Sequence, residues 1–109
     1  MEELVGLGGA RARLEELFDD SGTPVLKITG ELDMSNVGSF RTAIDATFGQ
    51  VSDRIVFDLS ELGFLDSSGL AMLFAVAERV GIVELRRPRQ MIRRVIELTG
   101  LSSVFLITS

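Results

Sequence analysis

The segment Phe64-Leu65-Asp66-Ser67-Ser68-Gly69-Leu70 sets two hydroxyls beside one carboxylate where an apolar run gives way to helical spacing. A helix starting there offers unpaired backbone N–H groups and the positive end of its dipole, and both favour an added anion. A phosphate on Ser67 fits such a terminus without unfolding the helix, and it brings close to two negative charges next to Asp66. That step from mildly to strongly anionic is enough to dismiss an acidic or apolar partner surface. Gly69 lets another backbone approach closely. Taken alone, Asp66-Ser67-Ser68-Gly69 reads first as a plain helix cap.

The second carboxylate of interest is Asp33, in the loop Glu31-Leu32-Asp33-Met34. Paired with Asp66 it would suit acid–base work or Mg²⁺, but loop aspartates are ordinarily turn formers and caps. The chain has no histidine and no cysteine. Thiolate zinc sites, dithiol redox chemistry, histidine triads and histidine phosphorelays are therefore excluded. No catalytic residue, metal ligand or cofactor site is assigned, and the chain is read as a non-enzyme.

At 109 residues, 46% hydrophobic and 25% charged, the composition is that of one ordinary globular domain. A net charge of −5 opposes direct nucleic-acid binding. Arg86, Arg87, Arg89, Arg93 and Arg94 crowd one stretch, but no Tyr or Trp stands by to stack bases. These arginines read as a solvated face or as a site for an acidic protein. Met1-Glu2-Glu3-Leu4 is acidic where a secretory signal is basic, and no run approaches the roughly 20 apolar residues needed to span a bilayer. The expectation is a cytoplasmic chain with no membrane insertion.

These residues need elements to hold them. Gly6, Gly8 and Gly9 make residues 1–9 a flexible leader. Residues 10–18 read as a strand, and Asp19-Asp20-Ser21-Gly22-Thr23-Pro24 turns the chain into a second arm through Val25, Leu26 and Ile28 to Gly30. Ser35 is placed to cap a helix carrying Val37, Phe40, Ile44 and Phe48, with Gly49 as its stop. Ile55 to Leu59 is a strand buried on both faces. A helix starting at 67–69 carries Leu70, Leu73, Phe74 and Ala77, Ile82 to Leu85 is a strand, and Pro88 opens a helix closed by Gly100. Val104 to Ile107 is a last strand. The order β-β-α-β-α-β-α-β implies an α/β domain with a mixed sheet and helices packed on it.

From about Ala12 to Ile107 the chain resembles the STAS domain family of bacterial anti-anti-sigma factors. The resemblance rests on Gly30-Glu31-Leu32-Asp33, Val56-Phe57-Asp58-Leu59-Ser60, Phe64 to Leu70, Pro88 and Thr99-Gly100-Leu101. It implies a STAS-like single domain over residues 10–109 that binds an anti-sigma factor with serine kinase activity and so frees a sigma factor. It also implies that the kinase switches the chain off by phosphorylating Ser67, and that a serine phosphatase would reset it. Asp33, Asp66, Ser68 and Gly69 are implied as the partner-binding switch surface. The alternative is a STAS accessory module of another complex, such as a lipid-transport ATP-binding cassette system. From Ser67 to Pro88 the chain is shorter than is usual for the family by roughly one to two turns of 3.6 residues.

Overall fold

Residues two apart in an extended chain share a face, so Leu26 with Ile28, Ile55 with Phe57, and Val83 with Leu85 present three apolar pairs on one side of a sheet. The computed structural model describes residues 3–7, 12–47 and 53–109. In chain order the elements are β1 Glu3–Leu7, β2 Ala12–Phe18, β3 Pro24–Leu32, α1 Val37–Thr47, β4 Arg54–Asp58, β5 Leu62–Leu65, α2 Ser67–Ala77, β6 Ile82–Arg86, α3 Gln90–Leu98 and β7 Leu106–Thr108. The sheet runs β1-β2-β3-β4-β6-β7. Its first three strands are antiparallel and the rest parallel.

Each helix buries one stripe against that apolar face: Phe40 and Ile44 from α1, Leu70 and Leu73 from α2, Ile92 and Ile96 from α3. Spacings of three and four residues put each pair on one side of its helix. Burying a side chain of this size is worth about 1.5–3 kcal/mol, so the stripes fix where each helix begins as well as where it lies.

β3 is long enough to serve two partners. Val25 to Lys27 pair with β4, whereas Gly30 to Leu32 pair with β5, with a register shift between Gly30 and Glu31. Gly30 makes that shift at φ +99, a conformation open to glycine and strained for other residues. Two strands therefore stand between α1 and α2 where one was expected. The four residues of β5 include Gly63 and follow a tight turn, so their pattern is too short to show a period. The other addition is β1. Residues 3–7, expected as part of a flexible leader, instead pair with β2 from Glu3↔Glu16 to Leu7↔Ala12. The backbone N–H and C=O groups along the free edge of β2 supply the bonds that the leader's own composition did not suggest. Phe48 and Gly49, expected to end the first helix, lie outside the described residues.

The opposite face of the sheet carries charge. Glu15, Lys27, Asp58 and Arg86 stand side by side across β2, β3, β4 and β6 with alternating sign. One row over, Glu84 is only 4% exposed and accepts hydrogen bonds from Arg54 at 2.5 Å, Arg86 at 3.0 Å and Thr108 at 2.8 Å. Burial would raise its carboxyl, but those three donors hold it below its ordinary value of 4.5. Asp58 behaves alike: burial opposes ionisation, and donors from Ser60 and Arg87 overcome it, so its carboxyl lies below 3.8. A group whose folded value is depressed adds stability above its unfolded value and loses it as pH falls. Unfolding free energy is therefore expected to hold steady at neutral pH and to drop as pH falls through 4.5 and then 3.8. Urea titrations at stepped pH would show this, and Asp58→Asn should flatten the lower part of the profile. An unchanged profile in that variant would contradict the assignment.

Candidate functional site

β3 and β5 end side by side, with Leu32 paired to Leu65. The Asp66 N–H donates to the Leu32 carbonyl at 3.2 Å. Both chains leave the sheet at this edge, which is why Asp33 and Asp66 open neighbouring loops. Asp66 takes extended backbone angles as the N-cap of α2. Its Oδ1 accepts from the Ser68 and Gly69 N–H groups at 2.9 and 3.0 Å and from the Ser68 hydroxyl at 2.6 Å. Its Oδ2 accepts from the Met34 N–H at 3.2 Å. The Ser68 hydroxyl bond, followed by the N–H bonds of Gly69, Met34 and Ser68, outweighs partial burial and keeps the carboxyl below 3.8. Asp66 is thus an anion at neutral pH.

The two serines are treated differently. Ser68 is half-buried with its hydroxyl committed to Asp66, while Ser67, the first residue of α2, is exposed. Among the described residues nothing holds the Ser67 hydroxyl. The nearest carboxylate in the chain, Asp66, spends its oxygens on Ser68, Gly69 and Met34.

Gly69 is buried beneath that display. A Cβ there would lie 2.7 Å from Leu65 Cδ1 and 2.9 Å from both Leu32 Cγ and the Leu32 carbonyl oxygen. The glycine lets the first turn of α2 rest directly on the ends of β3 and β5, which is what fixes Ser67 at the edge.

Asp33 belongs to the same edge but to a different bond network. Its Oδ1 accepts from the Ser35 N–H at 2.9 Å and from the Ser35 hydroxyl. Ser35, expected to cap the first helix, is held by Asp33 instead. The residue before α1 is Asn36, 3% exposed, which accepts from the Asp33 N–H at 3.0 Å and donates through Nδ2 to the Glu31 carbonyl at 2.8 Å. Nothing in the sequence singled out Asn36, because its partners are set by where β3 ends. Truncation removes both of these hydrogen bonds from a buried side chain, at about 1–3 kcal/mol. Asn36→Ala should lower the urea midpoint accordingly, and a shift worth less than about 0.5 kcal/mol would count it as an ordinary surface change.

Asp33 and Asp66 share the edge, but each spends its carboxylate on turn or cap donors. Among the described residues, no group of three or more acidic, histidine or cysteine side chains is placed to hold a metal ion. The crowded arginines are mostly consumed within the fold. Arg86 pairs with Glu84, Arg87 with Asp58 and Arg93 with Glu97, while Arg89 donates to the Ser60 carbonyl at 3.1 Å. Arg87 reaches Asp58 from a left-handed backbone at φ 52. The sequence shows the arginines and hides their partners, since Asp58 stands 29 positions from Arg87.

A mixed sheet that presents an uncommitted seryl hydroxyl on a capped helix start, above a glycine-thin contact, defines a small α/β display module. The chain belongs to the STAS domain family: residues 16–108 match the family model described as "Mlab, STAS domain". It is 33% identical over 94 residues to the anti-sigma-F factor antagonist RsfB of Mycobacterium tuberculosis, spanning 84% of this chain and 77% of that protein. The crystal structure of an anti-sigma factor antagonist from Mycobacterium paratuberculosis superposes with a TM-score of 0.75 at 33% identity, over 87% of this chain and 85% of that one. The Bacillus cell fate determinant SpoIIAA in its phosphorylated form shares the fold, with a TM-score of 0.63 at 22% identity over 88% of this chain and 91% of its own. Among the described residues no helix is long and apolar enough to cross a membrane.

Proposed function

We propose that this chain is an anti-anti-sigma factor of the cytoplasm, one that binds an anti-sigma factor with serine kinase activity, frees a sigma factor, and is switched off by phosphorylation of Ser67. The observation that carries this reading is the contrast at the start of α2. Of two adjacent serines, one hydroxyl is exposed and uncommitted and the other is spent on the cap. The likeness to an anti-sigma-F factor antagonist supplies the class of partner.

In this mechanism the chain is a substrate and a competitor, with no catalytic activity of its own. The kinase brings ATP, Mg²⁺ and the catalytic aspartate, so the site need offer only an accessible hydroxyl on a rigid mount. Dephosphorylated Ser67 permits docking of the edge formed by Asp33, Asp66, Ser68 and Gly69. A phosphate beside the Asp66 anion adds repulsion and desolvation exactly where the partner must seat, and a serine phosphatase reverses it.

Pull-down from the source organism's lysate with wild type, Ser67→Ala and Ser67→Asp, each shown to be folded, tests the switch. Capture of a kinase-type anti-sigma factor by wild type and Ser67→Ala but not by Ser67→Asp is the expected result. Equal capture by all three baits, or recovery of transporter ATPase subunits in its place, would reduce Asp66-Ser67-Ser68 to a helix cap.

A further inference from the structure

Asp66 is used twice, and only one use belongs to its helix. Oδ1 caps α2, whereas Oδ2 reaches across to the Met34 N–H in the turn between β3 and α1, 32 positions away in the chain. Met34 is 79% exposed. A single exposed apolar side chain is ordinary on a protein surface, but this one has its backbone bonded to the residue that caps the helix of the displayed serine. The turn is braced from its other side as well: Asp33 holds Ser35, and buried Asn36 ties the Asp33 N–H to the Glu31 carbonyl. The whole arrangement orders a polar turn and leaves one large apolar group projecting from it.

We propose that Met34 is an apolar anchor of the docking surface, seated in an apolar pocket of the anti-sigma factor, and that Asp66 is the positioning residue that holds it beside Ser67. The inference rests on the anti-sigma reading above. The occupant follows from continuity, because the turn that carries Met34 is bonded to the residue immediately preceding Ser67. An unbranched thioether adapts to the shape of its pocket, and its ordered backbone lowers the cost of immobilising it on binding. One carboxylate then couples phosphoacceptor and anchor: negative charge arriving on Ser67 faces the same Asp66 whose second oxygen holds Met34 in place.

The two roles of Asp66 can be separated. Asn serves as well as Asp at an N-cap, but an Asn that keeps its oxygen on Ser68 and Gly69 turns an amide donor toward the Met34 N–H. Asp66→Asn should therefore keep the protection of the Ser68 and Gly69 amides from hydrogen exchange while speeding exchange at Met34. Affinity is then measured for each anti-sigma factor of the source organism, purified in turn, with Met34→Ala, Asp66→Asn and a control, Leu98→Ala. Leu98 is 76% exposed but ends α3, outside the turn and the cap that carry Met34 and Ser67. Met34→Ala is expected to lose roughly tenfold in affinity, as an anchor at an interface centre does. Asp66→Asn should lose a comparable factor, and Leu98→Ala should match wild type. Binding by wild type with undiminished binding by Met34→Ala overturns the anchor and leaves the anti-sigma reading standing. Unchanged exchange at Met34 in Asp66→Asn overturns the positioning role. Wild type that binds none of the anti-sigma factors overturns the reading and the anchor together.

Discussion

Phosphorylation of Ser67 should weaken binding to the anti-sigma factor by about a hundredfold, with Ser67→Asp following in the same direction and by less. The estimate comes from two costs that arise together at one position. A phosphate carries close to two charges, which the partner must strip of water to seat this edge, and it stands next to an Asp66 whose own carboxyl is held ionised. A few kcal/mol is the expected sum, and every 1.4 kcal/mol is about tenfold in affinity. Ser67→Ala should bind like wild type while refusing the phosphate. Ser68→Ala should still accept phosphate on Ser67, because the Ser68 and Gly69 N–H groups still reach Asp66 when the Ser68 hydroxyl is gone. Calorimetric titration of the four proteins would separate these outcomes. A Ser68 variant that behaves as Ser67 is expected to behave would move the switch one residue along the helix.

The largest effect on stability is expected at Gly69. Adding a methyl forces it to within 2.7–2.9 Å of Leu65, Leu32 and the Leu32 carbonyl, and the last of these is backbone that gives way only if β3 moves. Overpacking of this kind costs about 1–3 kcal/mol, against a gain of roughly 0.5–1 kcal/mol from replacing a helical glycine. Gly69→Ala should be destabilised on balance, and Gly69→Val, with two further carbons at the same contact, more severely. Gly38 in α1 has open space where its Cβ would go, so Gly38→Ala should leave stability level or slightly raised. Urea denaturation of the three variants checks the contrast. A Gly69→Val protein as stable as wild type would mean that α2 does not rest on the strand ends. Function should fall with stability here, since the same contact sets the position of Ser67.

Much of the fold is legible where one residue type repeats at one period. Phe40 and Ile44 keep helical spacing and are found on the buried stripe of α1; Ile55 to Leu59 form an apolar run interrupted only by Asp58, and all five are buried. The α/β class and mixed sheet follow from such segments. What resists is decided by distant partners. β1 exists because β2 has an edge to pair with, and β5 because β3 extends past β4. Ser35 reads as the cap of α1 in the sequence, and the part played by Asn36 emerges only once the Glu31 carbonyl and the Asp33 N–H are in place. The candidate site divides in the same way. Asp66 as a cap and Ser67 as an exposed hydroxyl can be read from Asp-Ser-Ser-Gly ahead of a helix, because capping geometry is local. The bond from Asp66 to Met34 cannot, because it crosses between loops that meet only when β3 and β5 end together.

Ser67 is the residue proposed to be modified by a partner kinase. The most direct test is to incubate the purified chain with the anti-sigma factor captured in the pull-down, ATP and Mg²⁺, and to map the product by tandem mass spectrometry. A single added phosphate is expected, located on Ser67, with no incorporation into Ser67→Ala and normal incorporation into Ser68→Ala. Phosphate on Ser68 or on a serine away from the start of α2, or none with a kinase that is active on another substrate, would contradict it.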